Sequence, residues 1–120
     1  IYDFAKHLRK KNTQKVNPCR FIIVEGILML HYTRLLDLYS LKVFIETPEA
    51  IRIERRIERD IHSRGRTLES VKNQYYSTVK PMHEKYVQPS KSSSDIVLDG
   101  TDLVDNLIKE IKTRVGLVST

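Results

Sequence analysis

The sequence predicts an α/β domain built on a parallel sheet, and three observations predict it. The runs FIIV at 21–24, LKVFI at 41–45 and IVL at 96–98 are short, apolar and rich in β-branched residues, the pattern of strands covered on both faces. Between and after them lie stretches whose apolar residues recur at three- and four-residue spacing, the signature of helices with one buried face. Alternation of the two element types demands right-handed crossovers between parallel strands. Three strands are few for a sheet covered on both sides, so the sheet is expected to be incomplete, with further strands before Ile1.

The strand at 21–24 runs into Glu25-Gly26, which places a carboxylate at the carboxyl end of a strand. Ligands of doubly wound sheets bind there, and an acid at that point can hold Mg²⁺ directly or through water. Residues 27–39 read as a loop and short helix with Leu28, Leu35, Leu36 and Leu38 inward. The strand at 41–45 feeds Glu46 and then TPEAIRIERRIERDIHSRGR at 47–66. Thr47 as N-cap, Pro48 at the first helical position and Glu49 in the first turn predict a helix start, and Gly65 predicts its end. Ile53, Ile57 and Ile61 form the expected buried stripe; Arg52, Arg55, Arg56 and Arg59 lie along an adjacent face.

With Arg64 and Arg66 flanking Gly65, this segment carries guanidiniums suited to a ligand with several anionic oxygens, because each planar fork binds phosphate bidentately. Interleaved Glu54, Glu58 and Asp60 also fit a solvated helix laced with ion pairs, at about 0.2–0.5 kcal/mol per pair. The absence of lysine between Thr47 and Arg66 favours the phosphate-facing surface. After it, Leu68, Val71, Tyr75, Val79, Met82 and Tyr86 predict a long helix that Pro81 kinks or breaks near Val79. Gln74, one position off that stripe, faces a cleft or water. A polar loop at 89–94 precedes the strand at 96–98, and Asp102 caps a last helix that buries Leu103, Leu107, Ile108, Ile111 and Val115 and ends at Gly116.

Composition bounds the partners. With 120 residues the chain is at most one domain, and Ile1-Tyr2-Asp3, which reads as the end of a strand and lacks an initiator Met, leads us to expect part of something longer. A net charge of +6 and a pI near 9.5 favour anionic ligands. No apolar run approaches the ~20 residues that span a bilayer. A single cysteine, Cys19, excludes an intrachain disulfide and fits a soluble protein of the cytoplasm. Tyr2, Phe4 and His7 bring two rings and an imidazole together ahead of a basic run; ordinary packing and a nucleobase pocket both fit that spacing.

YDFAKH at 2–7, VEGIL at 24–28, FIETPEAIRIERRIERDIHSRGR at 44–66, QYYSTVKPMHEKYVQPSK at 74–91 and SDIVL at 94–98 together resemble the C-terminal two thirds of uridine kinases (uridine-cytidine kinases), P-loop kinases of pyrimidine salvage. The resemblance covers nearly the whole chain. It implies a three-layer P-loop kinase sheet, with residues 1–120 as the C-terminal part of one kinase domain and the P-loop strand and helix outside it. It also implies transfer of the γ-phosphoryl of ATP (or GTP) to the 5′-hydroxyl of uridine or cytidine with Mg²⁺, in a cytoplasmic homo-oligomer, a tetramer, that engages neither membrane nor nucleic acid. By resemblance, Tyr2, Phe4 and His7 form the nucleobase pocket and Arg56, Arg66 and Gln74 face the nucleoside. Arg59 and Arg64 reach the ATP phosphates as catalytic groups, and Glu25 belongs to the metal shell.

The sequence departs from that pattern in three places. Its glycines are Gly26, Gly65, Gly100 and Gly116, so it contains no GxxxxGK[ST] loop to cradle phosphates. The family's aspartate general base is also missing from these residues. Glu46-Thr47-Pro48 stands where an acidic, proline-free turn is expected. Two other readings remain open: a different P-loop kinase of small alcohols, phosphoribulokinase-like, and a basic nucleic-acid-binding domain with steeply salt-dependent affinity.

Overall fold

A computed structural model of the chain describes residues 2, 3, 6 and 8–117, with only the backbone of Tyr2 and Asp3. Short strands β1 (Tyr2–Asp3) and β2 (Leu8–Arg9) pair antiparallel, Tyr2 opposite Arg9. A short helix α1 (Thr33–Leu36) follows a long irregular stretch. Then come strand β3 (Val43–Glu46), helix α2 (Glu49–Arg64), helix α3 (Leu68–Gln74), a π-turn at Tyr75–Val79, one turn α4 (Lys80–Met82), a second π-turn at His83–Val87 and 3₁₀ turns at Gln88–Ser93. Strand β4 (Ile96–Asp99) and helix α5 (Val104–Arg114) complete the described chain.

β3 and β4 pair in parallel with Val43 opposite Ile96 and Glu46 opposite Asp99. The parallel α/β arrangement predicted from the sequence is present, and the buried core lies against this pair: Phe44, Ile96 and Leu98 from the strands, Val71 and Tyr75 from the helical arm. Side chains bolt the arm to the strands. Glu46 accepts hydrogen bonds from Gln88 Nε2 at 3.0 Å and from Lys91 Nζ, while Glu49 at the start of α2 accepts from Tyr75 Oη at 3.1 Å and Lys80 Nζ at 2.8 Å. Gly100 lets the chain after β4 pass close to the end of β3. A Cβ there would lie 2.0 Å from Thr47 Oγ1, and Gly100 N donates to Glu46 O at 2.8 Å. Arg55 Nη1 donates to Gly100 O at 2.8 Å, so that arginine anchors α2 to this crossing.

Four expectations are corrected. The run at 21–24 is not a strand: it is irregular and exposed, with Ile23 90% accessible, because β propensity becomes a strand only where a neighbour supplies ladder hydrogen bonds, and none among the described residues does. α2 begins one residue later than predicted, with Pro48 as N-cap and no side-chain cap from Thr47's neighbour position. Pro81 does not break the helix. In the π-turn before it Lys80 N–H bonds to Tyr75 O, five residues back, and this wider turn carries the backbone past the proline. The extra residue per π-turn also rotates the apolar stripe out of phase, which leaves Met82 exposed and His83 half-buried. Finally, α5 buries none of its residues, and Leu103 and Ile108 are exposed, as is Leu38 near α1.

Candidate functional site

α2 positions the candidate site. Its isoleucines at 53, 57 and 61 are half-buried as the periodicity predicts, yet the one fully buried side chain of the helix is Asp60, 1% accessible. Four arginines ring its carboxylate. Arg59 Nε bonds Oδ1 at 2.9 Å and Arg64 Nη1 bonds the same oxygen at 3.2 Å. Arg66 Nη1 and Arg56 Nε approach Oδ2 at 3.5 and 3.8 Å, near enough for charge pairing but not for a hydrogen bond. Among the described residues, Oδ2 and Arg56 Nε are accordingly buried without a hydrogen-bond partner.

Local folding explains how the ring closes. Arg56, Asp60 and Arg64 are four residues apart and share one face of α2. Gly65 then enters the left-handed region at φ 63°, and its N–H together with that of Arg66 bonds the backbone carbonyl of Asp60. That turn swings Arg66 back over the helix end. Thr67 caps α3 by accepting from Ser70 N at 3.2 Å, and α3 returns across α2 so that Gln74 meets the arginines. Gln74 Oε1 accepts from Arg56 Nη2 at 3.1 Å and also from Arg66 Nη1.

The electrostatics follow from this crowding. Burial opposes ionisation of Asp60, but the hydrogen bond from Arg59 and the charges of Arg59, Arg56 and Arg64 together outweigh it and hold the carboxyl below the usual carboxylate range. Burial, then the like charges of Arg59, Arg66 and Arg64, lower the Arg56 guanidinium from its ordinary value against the pull of Asp60. Guanidinium remains charged throughout. Four cations around one anion leave three positive charges in excess.

The structure therefore brings Arg56, Arg59, Arg64, Arg66 and Gln74 together. Arg59 is the most exposed of the four, its side chain 47% accessible, against 27% for Arg64, 23% for Arg56 and 17% for Arg66. Arg66 Nη2 also donates to Ser70 O at 3.2 Å and Ser70 Oγ at 2.8 Å. Glu25 lies exposed in the irregular stretch, and among the described residues no group of three His, Cys, Asp or Glu could hold a metal ion. Phe4, His7 and the side chain of Tyr2 lie outside the described residues. Asp60 is the residue sequence reasoning missed as a site member. Its signal was present in the arginines four positions to either side.

The sequence profile of the Phosphoribulokinase / Uridine kinase family matches residues 1–106. The chain belongs to that family. Among similar proteins are the uridine kinase of Lactococcus lactis subsp. cremoris, 43% identical over 92% of this chain and 57% of its own length, and that of Ligilactobacillus salivarius, 49% identical over 82% and 46%. The uridine kinase of Streptococcus pyogenes serotype M5 is 51% identical over 82% of this chain and 47% of its own length. The chain thus spans about half the length of these relatives. Among the described residues, no helix of this family member is long and apolar enough to cross a membrane.

Proposed function

We propose that residues 1–120 are the C-terminal part of a nucleoside kinase domain that phosphorylates the 5′-hydroxyl of uridine or cytidine with ATP or GTP. The observation that carries this reading is the Asp60-centred arginine ring with its excess of positive charge, lying in a family whose named relatives are uridine kinases. Phosphoryl transfer is catalysed mainly by positioning and by stabilising charge on oxygens, and planar forks set around a fixed anion suit that work. Arg59 and Arg64, which share one oxygen of Asp60, grip the polyphosphate. Arg56 and Arg66 hold Gln74 by its oxygen, which turns the amide Nε2 outward as a donor to a nucleoside oxygen. Tyr2, Phe4 and His7 form the base pocket.

The residues fit a triphosphate, since three excess cationic charges face an anion of similar charge. A bound nucleotide would supply the phosphoryl group, and Mg²⁺ bound with it would offset the charge on its oxygens. Mg²⁺ keeps several waters and needs only one or two carboxylates beside phosphate, so Glu25 fits as a single ligand. The chain's residues orient, exclude water and stabilise charge; the phosphate cradle and general base come from the remainder of the domain, outside residues 1–120. Assembly as a cytoplasmic homotetramer belongs to the same proposal.

A panel assay of the full-length protein tests it: uridine, cytidine, purine nucleosides and a sugar phosphate with ATP and Mg²⁺, beside salt-dependent binding to DNA and RNA. Selective turnover of uridine or cytidine is expected. Turnover of the sugar phosphate alone would move the assignment to the phosphoribulokinase side of the family, and steep salt-dependent nucleic-acid binding without any turnover would overturn it.

A further inference from the structure

We propose that Asp60 is the positioning residue of the arginine ring: a fixed buried anion that sets the Arg59 and Arg64 forks in place before any polyphosphate arrives. This rests on the kinase reading above for its catalytic consequence, though not for its geometry.

Three observations carry it. A salt-bridge-laced solvent helix would leave its acids exposed, as Glu54 and Glu58 are, whereas Asp60 is 1% accessible. Burying a carboxylate is a poor route to stability, because a buried ion pair is often no better than apolar packing of the same volume. The pairing is also not arranged for maximum stability: one oxygen takes both hydrogen bonds, from Arg59 and Arg64, and the other is held only by charge at 3.5 and 3.8 Å. What the arrangement does achieve is orientation. Arg59 reaches Asp60 through Nε and 47% of its side chain is accessible, so among the described residues its two terminal nitrogens are left for an anion. Asp60 also accepts the Gly65 and Arg66 N–H groups with its backbone carbonyl, so one residue fixes both the forks and the turn that carries Arg66. Left alone, four guanidiniums would repel each other and spread; a central anion holds them at a set spacing.

Asp60→Asn keeps the shape and one accepting oxygen but removes the charge, and Asp60→Glu keeps the charge one methylene further out. Three measurements on the full-length protein decide the matter: kcat and KM with uridine and ATP, calorimetric affinity for inorganic tripolyphosphate, and NMR exchange of the arginine Nε–H protons. For Asp60→Asn we expect kcat to fall at least ~tenfold, since displacement of positioning groups by about an ångström costs that much or more. Tripolyphosphate affinity should stay level or tighten, because the ring gains net positive charge, and the slowed exchange of Arg59 Nε–H should be lost. Asp60→Glu should recover part of the kcat. A folded Asp60→Asn protein with wild-type kcat or unchanged Arg59 Nε–H exchange overturns the proposal, as does parallel loss of kcat and tripolyphosphate affinity in both variants, the mark of a merely structural role. A wild-type protein that turns over no nucleoside sinks the kinase reading instead; the tripolyphosphate and NMR comparisons still decide the role of Asp60.

Discussion

Arg56 and Gln74 lie eighteen residues apart, on α2 and at the end of α3, and a 3.1 Å hydrogen bond from Arg56 Nη2 to Gln74 Oε1 joins them. With Arg66 on the same oxygen, the Gln74 amide presents its acceptor to the two guanidiniums, which leaves Nε2 as its donor. Gln74→Glu is expected to keep both arginines paired and lose the donor, raising the nucleoside KM about tenfold with little change in the ATP KM, the size of effect of one hydrogen bond to a ligand oxygen. Gln74→Leu leaves Arg56 and Arg66 short of an acceptor and should cost stability as well. Steady-state kinetics of the two variants check this; equal effects on both substrates would remove Gln74 from the nucleoside side.

Arg59→Ala and Arg64→Ala are expected to cut kcat/KM for ATP about 10²- to 10³-fold each, the cost of one preorganised donor in a charge-stabilising site. Nucleoside KM should change far less. Arg→Lys is expected to recover only part, because a point charge does not reproduce the fork. Unaltered ATP kinetics in both alanine variants would return these arginines to a structural role.

Much of this architecture was legible in local sequence. Gly65 ends α2 where a left-handed cap is needed, and the β-branched runs around Phe44 and Val97 became β3 and β4. The grouping of Arg56, Arg66 and Gln74 came from family resemblance, not spacing, because it depends on α3 folding back over α2. The burial of Asp60 was not readable either, because it depends on how four arginine side chains, one of them beyond the helix end, fold over its carboxylate. π-turns leave no mark in a three-and-four periodicity, so the arm's phase shift at Met82 and its passage through Pro81 were not readable. The run at 21–24 advertises strand propensity but cannot name its partner.

Gly100→Ala tests the crossing of the two strand ends. Its Cβ would meet Thr47 Oγ1 at 2.0 Å, Ile45 Cγ2 at 3.0 Å and Glu46 O at 3.3 Å. Overpacking of this kind costs about 1–3 kcal/mol. A lower Tm by several degrees is expected, and Thr47→Ala on the same background should recover part of it by removing the nearest atom. A Gly100→Ala protein as stable as the parent would show that the crossing has room.

His83 gives a pH-dependent prediction. Burial first, then the charge of Arg52, push its imidazole below the ordinary value, against the opposing hydrogen bond that Nε2 donates to Gln88 Oε1 and the carboxylates of Glu84 and Glu49. A depressed folded-state pKa means that folding favours the neutral ring. Its contribution is fully present above the unfolded value of ~6.5 and is lost as pH falls through the folded value. Urea unfolding at about pH 7.5 and about pH 5.5 should therefore show a smaller loss of stability in His83→Gln than in the parent. An identical loss in both would place the acid sensitivity elsewhere.

The last prediction concerns residues 1–120 on their own. They carry the arginine ring and Glu25 but no GxxxxGK[ST] sequence, and a whole phosphate cradle supplies far more than the ~3–4 kcal/mol that a single preorganised donor provides. No measurable phosphorylation of uridine is expected from them. Phe21, Ile22, Ile23, Val24 and Ile27 are 46%, 60%, 90%, 54% and 76% accessible, and among the described residues the β3–β4 pair has no further strand on either edge. An exposed apolar run and open strand edges each invite pairing with other chains. Concentration-dependent scattering and binding of a hydrophobic dye are expected, both reduced by Ile23→Lys, which puts a charge at the most exposed position of the run. Monodisperse residues 1–120 that turned over uridine and ATP would mean that the cradle and base are supplied from within these residues, and would overturn the proposal that they lie elsewhere.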